Sequence, residues 1–226
     1  MGFWSSMGNA ISSAVSAVGS VCSSIGSGLS SVASTLEPLI RKGLSYIGPV
    51  GNVISTVAQR LEVFKSGEDV MEMGDRHIQA KDKGIDYTPN DQTYNEYLEE
   101  IRNFELDPEK SPKTVLEKIV TTASGIVLGL KGIEEKMDMA DGESGHILRL
   151  VVLSPDVFNA EKVVDMLAQD TDFEKIADYF DNKLSAVENR ELRGEVFTLI
   201  KESDPSLDGE GVYEKLSELK DKEPVA

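Results

Sequence analysis

Between Met1 and Leu36 the sequence contains no Asp, Glu, Lys, Arg or His. A water-facing helix ordinarily carries Lys and Glu on its outer side, so this opening segment is built for a different neighbour. Cysteine is nearly missing as well. Cys22 stands alone, which excludes an intramolecular disulfide and leaves packing to hold the fold. Only two histidines occur, His77 and His146, and neither lies in a motif that supplies a nucleophile, a base and an orienting acid. No apolar run reaches the roughly 18 residues of a membrane-spanning helix, because serine interrupts each one. No basic residue precedes Arg41, so a cleaved secretory signal, with its basic start and continuous apolar run, is not expected.

Positive charge is also scarce. The 226 residues carry 23 basic and 40 acidic side chains, a net of −17, and that excess repels a phosphate backbone, so nucleic acid is not an expected partner. The imbalance is uneven. Residues 1–65 hold Arg41, Lys42, Arg60 and Lys65 against only Glu37 and Glu62, leaving the whole acidic excess to residues 66–226. Composition therefore divides the chain into an uncharged Ser/Gly-rich segment (1–65), connecting helices (66–110) and an acidic helical bundle (111–226).

What the opening segment does contain is a heptad pattern. Apolar residues recur as Trp4, Ile11, Val18, Ile25, Val32 and Leu39, with a second series at Val15, Cys22, Leu29 and Leu36. The alternation of three and four predicts an amphipathic helix. Twelve serines and five glycines fill the rest of residues 1–36, and these are weak helix formers, costing about 0.5 and 1 kcal/mol each relative to alanine. Such a helix needs a surface to lean on. A bilayer suits it, since bulky apolar residues opposite a serine and glycine face are the pattern of lipid-packing sensors. Another helix suits it too, in a homo-oligomer or larger assembly, because heptads favour supercoiling and small residues permit close approach. The residues assigned to membrane binding are Trp4, Ile11, Val15, Val18, Ile25, Leu29, Val32 and Leu36, with Arg41 and Lys42 at the level of anionic headgroups. Met1-Gly2-Phe3-Trp4-Ser5-Ser6 fits the loose myristoylation pattern through Gly2 and Ser6, against which stands the bulk of Phe3.

Pro38, Gly43, Gly48 and Pro49 predict a hinge, and Val50, Val53, Ile54, Val57, Leu61 and Phe64 a second amphipathic helix, giving helix-hinge-helix over residues 4–65. Met1-Gly2, the run Ala10-Ile11-Ser12-Ser13-Ala14-Val15-Ser16-Ala17-Val18-Gly19 and the heptads together make residues 2–64 resemble the minor capsid and penetration proteins of non-enveloped viruses. That resemblance implies a virion component whose amphipathic start is hidden in the particle and exposed to breach a membrane.

Beyond Ser66 the pattern is helical throughout, with starts expected at Thr88-Pro89-Asn90-Asp91, Ser111-Pro112, Ser154-Pro155 and a Thr171/Glu174 capping box. The stretch from Leu116 to Met137 reads as a buried central helix, with Gly125 and Gly129 permitting close crossing. The expected fold class is therefore all-α.

Catalytic and metal motifs are incomplete. Glu143-Ser144-Gly145-His146 has one Glu-x-x-His pair where di-iron bundles need two with further glutamates, and as a nucleophile elbow its second glycine comes one position early. Asp204, Ser206, Asp208 and Gly209 begin a calcium loop whose twelfth position is Lys215 instead of glutamate, so a polar turn is expected there. Cys22, on the apolar face, is expected to pack. No cofactor, metal or catalytic residue is assigned. The expected function is non-enzymatic membrane activity, penetration or pore formation, in a membrane-associated protein found in a virion or secreted. The alternatives are an assembly or adaptor protein whose first helix docks on a capsid, tail or secretion partner, and a secreted bacterial effector.

Overall fold

The computed structural model describes residues 3–222, with side chains described from Ala10 onward except at Ser27. Eleven α-helices and one 3-10 turn make up the regular structure, and no strand occurs among the described residues. The chain is all-α. It divides into two compact units, Met1–Gly145 and His146–Ala226, where composition alone draws boundaries at 65 and 110.

In the first unit, α1 (Phe3–Ile25) ends at Gly26, a 3-10 turn spans Ser27–Leu29, and α2 (Ser30–Lys42) leads through Gly43 into α3 (Leu44–Arg60). Gly43 adopts φ +103, ψ −176, a conformation closed to residues with a Cβ, and its N–H closes α2 by donating to the Leu39 carbonyl. Of the four residues expected to break the helix, Gly43 alone does so. Pro38 and Pro49 lie inside α2 and α3; each lacks the N–H that would reach the carbonyl four residues back, and those carbonyls belong to the exposed Ser34 and Ser45, where water can replace it. A second break, at Gly26, was not expected from the unbroken heptads.

α4 (Val70–Lys81) is capped by Asp69, and α5 (Tyr94–Asn103) and α6 (Val115–Met137) by the capping boxes Thr93/Glu96 and Thr114/Glu117. The expected starts at Thr88 and Ser111 fall short of these. Residues 88–91 form a turn, and the Ser111 hydroxyl donates to Asp75 Oδ2 at 2.6 Å instead of capping α6. α6 is the centre of the unit. α1 to α5 all pack on it, and every residue from Thr121 to Glu134 is buried. Two glycines let α4 come this close: a Cβ on Gly125 would stand 1.7 Å from the Val70 carbonyl oxygen, and one on Gly74 would stand 2.0 Å from that of Thr121.

The second unit holds most of α7 (Ser144–Leu153), with α8 (Ala160–Ala168), α9 (Phe173–Phe180), α10 (Ala186–Ser203) and α11 (Gly209–Lys220). Asn159 caps α8 and Asp172 caps α9, in place of Ser154 and Thr171, while Ser185/Glu188 forms the capping box of α10. Phe158 meets Phe180 edge-on at 5.8 Å in its core. Arg149 binds Asp178 and Asp181, and its Nη1 lies 3.0 Å from His146 Nδ1.

Candidate functional site

The heptad face that the sequence offers to a bilayer is turned inward. Val18 and Ile25 keep 1% of their surface, and Leu29, Val32 and Leu36 keep none. Together with Cys22, Leu39 and Ile40 they form part of the first unit's interior, where α1 packs on α6 and α2 on α3 and α6. Burying a side chain of this size favours the seated state by about 1.5–3 kcal/mol, an upper bound because unfolded chains already bury some of it. Ile11 and Val15 are half-buried, and Arg41 and Lys42 are exposed at the end of α2. There Arg41 Nη2 pairs with Glu37 Oε1 at 2.6 Å, and the Lys42 ammonium sits 5.7 Å from the Tyr46 ring centre. The Trp4 side chain and Gly2 lie outside the described residues.

Seating is uneven along α1. Toward its start a groove of about 470 Å³ opens between α1, α4 and α6, with Ala10, Ala14 and Ala17 on one wall and Ile78, Leu116 and Val120 on the other. Small alanine side chains leave this seam unfilled, and atoms without neighbours forfeit dispersion energy. The outer face of α1 carries exposed Ser12, Ser13, Ser16, Ser20 and Ser23. No acidic residue occupies the first turn and no basic residue the last, so the helix dipole goes uncompensated.

The elbow between α1 and α2 is held more firmly. The Gly28 N–H donates to Asp141 Oδ2 at 2.8 Å, and Lys131 Nζ donates to Asp141 Oδ1 at 3.0 Å. Backbones touch here: a Cβ on Gly28 would approach Asp141 to 2.6 Å, and one on Gly142, at φ +90, would come within 2.3 Å of the Gly28 carbonyl. Beneath them Glu134 Oε1 accepts the Gly142 N–H at 2.8 Å, the Ser144 N–H at 3.1 Å and the Ser144 hydroxyl at 2.8 Å. Its Oε2 has no hydrogen-bond partner among the described residues, though Lys131 Nζ lies 3.5 Å away. Burial pushes the Glu134 carboxyl above its ordinary range, against the pull of Ser144 and Lys131. Burial alone would lower Lys131, but the surrounding Asp141, Glu135 and Glu134 hold it above the usual lysine range.

The remaining candidates have structural partners. His77 is buried with Nδ1 3.0 Å from Ser124 Oγ, and burial, aided by Lys81, lowers it to about 4. Cys22 is buried, which pushes its thiol up to about 12. Asp204 Oδ1 accepts from the backbone and hydroxyl of Ser206, and Asp208 caps α11. Among the described residues no group of three or more His, Cys, Asp or Glu is placed to hold a metal, and no helix is long and apolar enough to cross a membrane. Sequence reasoning found the apolar face of α1–α2 but missed the elbow, whose partners are 113 residues apart; glycines at 26, 28 and 142 were the available signal.

Comparison with protein-family models, with curated proteins and with solved structures gave no match to this chain.

Proposed function

We propose that the chain is a non-enzymatic, membrane-active protein that carries α1 and α2 stowed, apolar face inward on α6, and delivers them to a bilayer when they leave that seat. One observation carries the reading: the solvent face of α1 is serine and small residues with no ionic group. A helix of this kind exchanges one apolar surface for another without dragging a charge into lipid. An amphipathic helix lying in the interfacial plane needs no membrane-spanning length. Penetration or pore formation is the resulting action, with Arg41 and Lys42 meeting anionic headgroups, and self-assembly through the small residues supplies the means to enlarge a lesion.

A reversible lock tests this. A Cβ on Gly145 would stand 3.4 Å from the Ser31 Cβ, close to the separation that a disulfide spans. In a Cys22→Ala background, Ser31→Cys with Gly145→Cys fastens the elbow when oxidised and frees it when reduced. The expected outcome is dye release from anionic vesicles by the reduced protein and little or none by the oxidised one, with equal helicity by circular dichroism. A reduced protein and a parent chain that both leave vesicles intact would overturn membrane activity. Equal leakage from the oxidised form would overturn stowage.

A further inference from the structure

The second unit gathers unpaired positive charge in one place. Arg190 and Arg193 on α10 and Lys220 on α11 line a groove of about 460 Å³ together with Tyr179, Asn189 and Tyr213, and among the described residues no acidic one lines it. Lysines and arginines elsewhere in this unit are largely spoken for: Arg149, Lys162, Lys183, Lys215 and Lys222 all have carboxylate partners. The three in the groove have none among the described residues, in a chain with 40 acids to 23 bases. Two of the three are held in position all the same. The Arg193 guanidinium lies 4.9 Å from the Tyr213 ring centre and Lys220 Nζ lies 3.6 Å from that of Tyr179. Lys220 also donates to Asn189 Oδ1 at 3.1 Å.

Helix stability does not account for the arginines. Both stand outside the last turn of α10, where the dipole would favour positive charge, and the positions three and four residues to either side of each hold no Asp or Glu. Burial, and then Arg193, push Lys220 below the usual lysine range, as expected of like charges held together without a counter-ion.

We propose that this groove binds a phosphomonoester, with Arg190 and Arg193 forking onto the phosphate oxygens, Lys220 neutralising its second charge, and the organic remainder lying against the exposed ring of Tyr213. A dianion matches the groove better than a carboxylate, because three cations stand over it and paired guanidinium forks complement tetrahedral oxygens. The net negative charge of the whole chain does not by itself prevent binding, since at physiological salt charges beyond about 8 Å are screened. The same chemistry is available free in solution and on a lipid headgroup, and the groove is accessible to either.

The test is calorimetric titration of the full chain with glycerol phosphate, alongside co-sedimentation with phosphatidylcholine vesicles with and without phosphatidic acid, which presents that group on a membrane. Arg190→Gln/Arg193→Gln should keep parental circular dichroism and weaken glycerol phosphate binding by about a hundredfold, roughly tenfold for each lost charge-assisted contact. Arg193→Lys, which keeps the charge and loses the fork, should recover only part of it. Glycerol phosphate binding with phosphatidic acid co-sedimentation equal in the parent and the double variant identifies a free ester as the source; co-sedimentation that falls in the double variant along with glycerol phosphate binding extends recognition to the headgroup. No heat with glycerol phosphate, or affinity unchanged in the double variant, overturns the site. This site stands apart from the membrane reading: vesicle binding through α1 and α2 is insensitive to Arg190 and Arg193.

Discussion

α1 and α6 are both helices of 23 residues, both uncharged along their middle and both rich in small side chains, yet they are held in opposite ways. α6 opens with the Thr114/Glu117 capping box, closes on the left-handed Asp138, and is buried on every side over its central turns. α1 buries one stripe, shows serine on the other, has no charge at either end to meet its dipole, and runs over an open seam at Ala10, Ala14 and Ala17. The comparison separates two uses of an uncharged helix. Surrounded by partners it becomes the structural axis; covered on one side it becomes, in the reading proposed above, an element that would change partners without stranding a charge.

The most severe way to break the comparison is at the axis. Gly125→Ala pushes a methyl group into the Val70 carbonyl with backbone on both sides, so neither helix can yield cheaply. We expect a loss of about 3 kcal/mol or more, read by chemical denaturation, at or above the upper end of what core overpacking usually costs.

A second test sharpens the comparison through pH. His77 joins α4 to α6 as a buried neutral ring lowered to about 4, whereas in the unfolded chain it titrates near 6.5. Between those values the unfolded chain binds more protons, so stability falls as pH falls, by up to about 3 kcal/mol for this group. Glu134 has the opposite sign. Its carboxyl is raised by burial, so its contribution to stability is present in acid and lost as pH rises through its folded value. A thermal midpoint that drops from neutral pH toward pH 4, with a slope flattened in His77→Gln, is the expected result; an unchanged slope removes His77 from the account.

The mildest intervention is at the elbow. Asp141→Ala removes acceptors for the Gly28 N–H and for Lys131 at the rim of the unit, and a net charge-assisted bond there is worth about 1–2 kcal/mol. Limited proteolysis should cut near Gly26 faster in the variant while α6 stays protected. Equal cutting would mean that apolar contacts alone hold the arm.

Much of this fold was legible beforehand. Heptad spacing and capping residues give helices across the chain, and the apolar density from Ile119 to Leu130 marks α6 as the axis. Helix starts slipped wherever two polar residues competed: Thr114 with Glu117 satisfies two backbone donors, so Ser111 is left to Asp75. The partner of the heptad face was not legible, because an apolar stripe has the same spacing whether lipid or α6 covers it. Nor was the cationic groove, for Lys220 is far in sequence from Arg190 and Arg193 and all three are lost in a net charge of −17; only the pairing of α10 with α11 brings them together.

Cys22 gives the chain an internal clock. Its thiol is unique, enclosed on the seated face of α1 and raised to about 12, so it is inert to alkylating reagents for as long as α1 stays in place. In the exchange proposed above, each departure of the helix would return an ordinary thiol to water. The rate at which the unmodified protein consumes such a reagent would then measure the fraction of time that α1 spends away from its seat, with no label added and no residue changed.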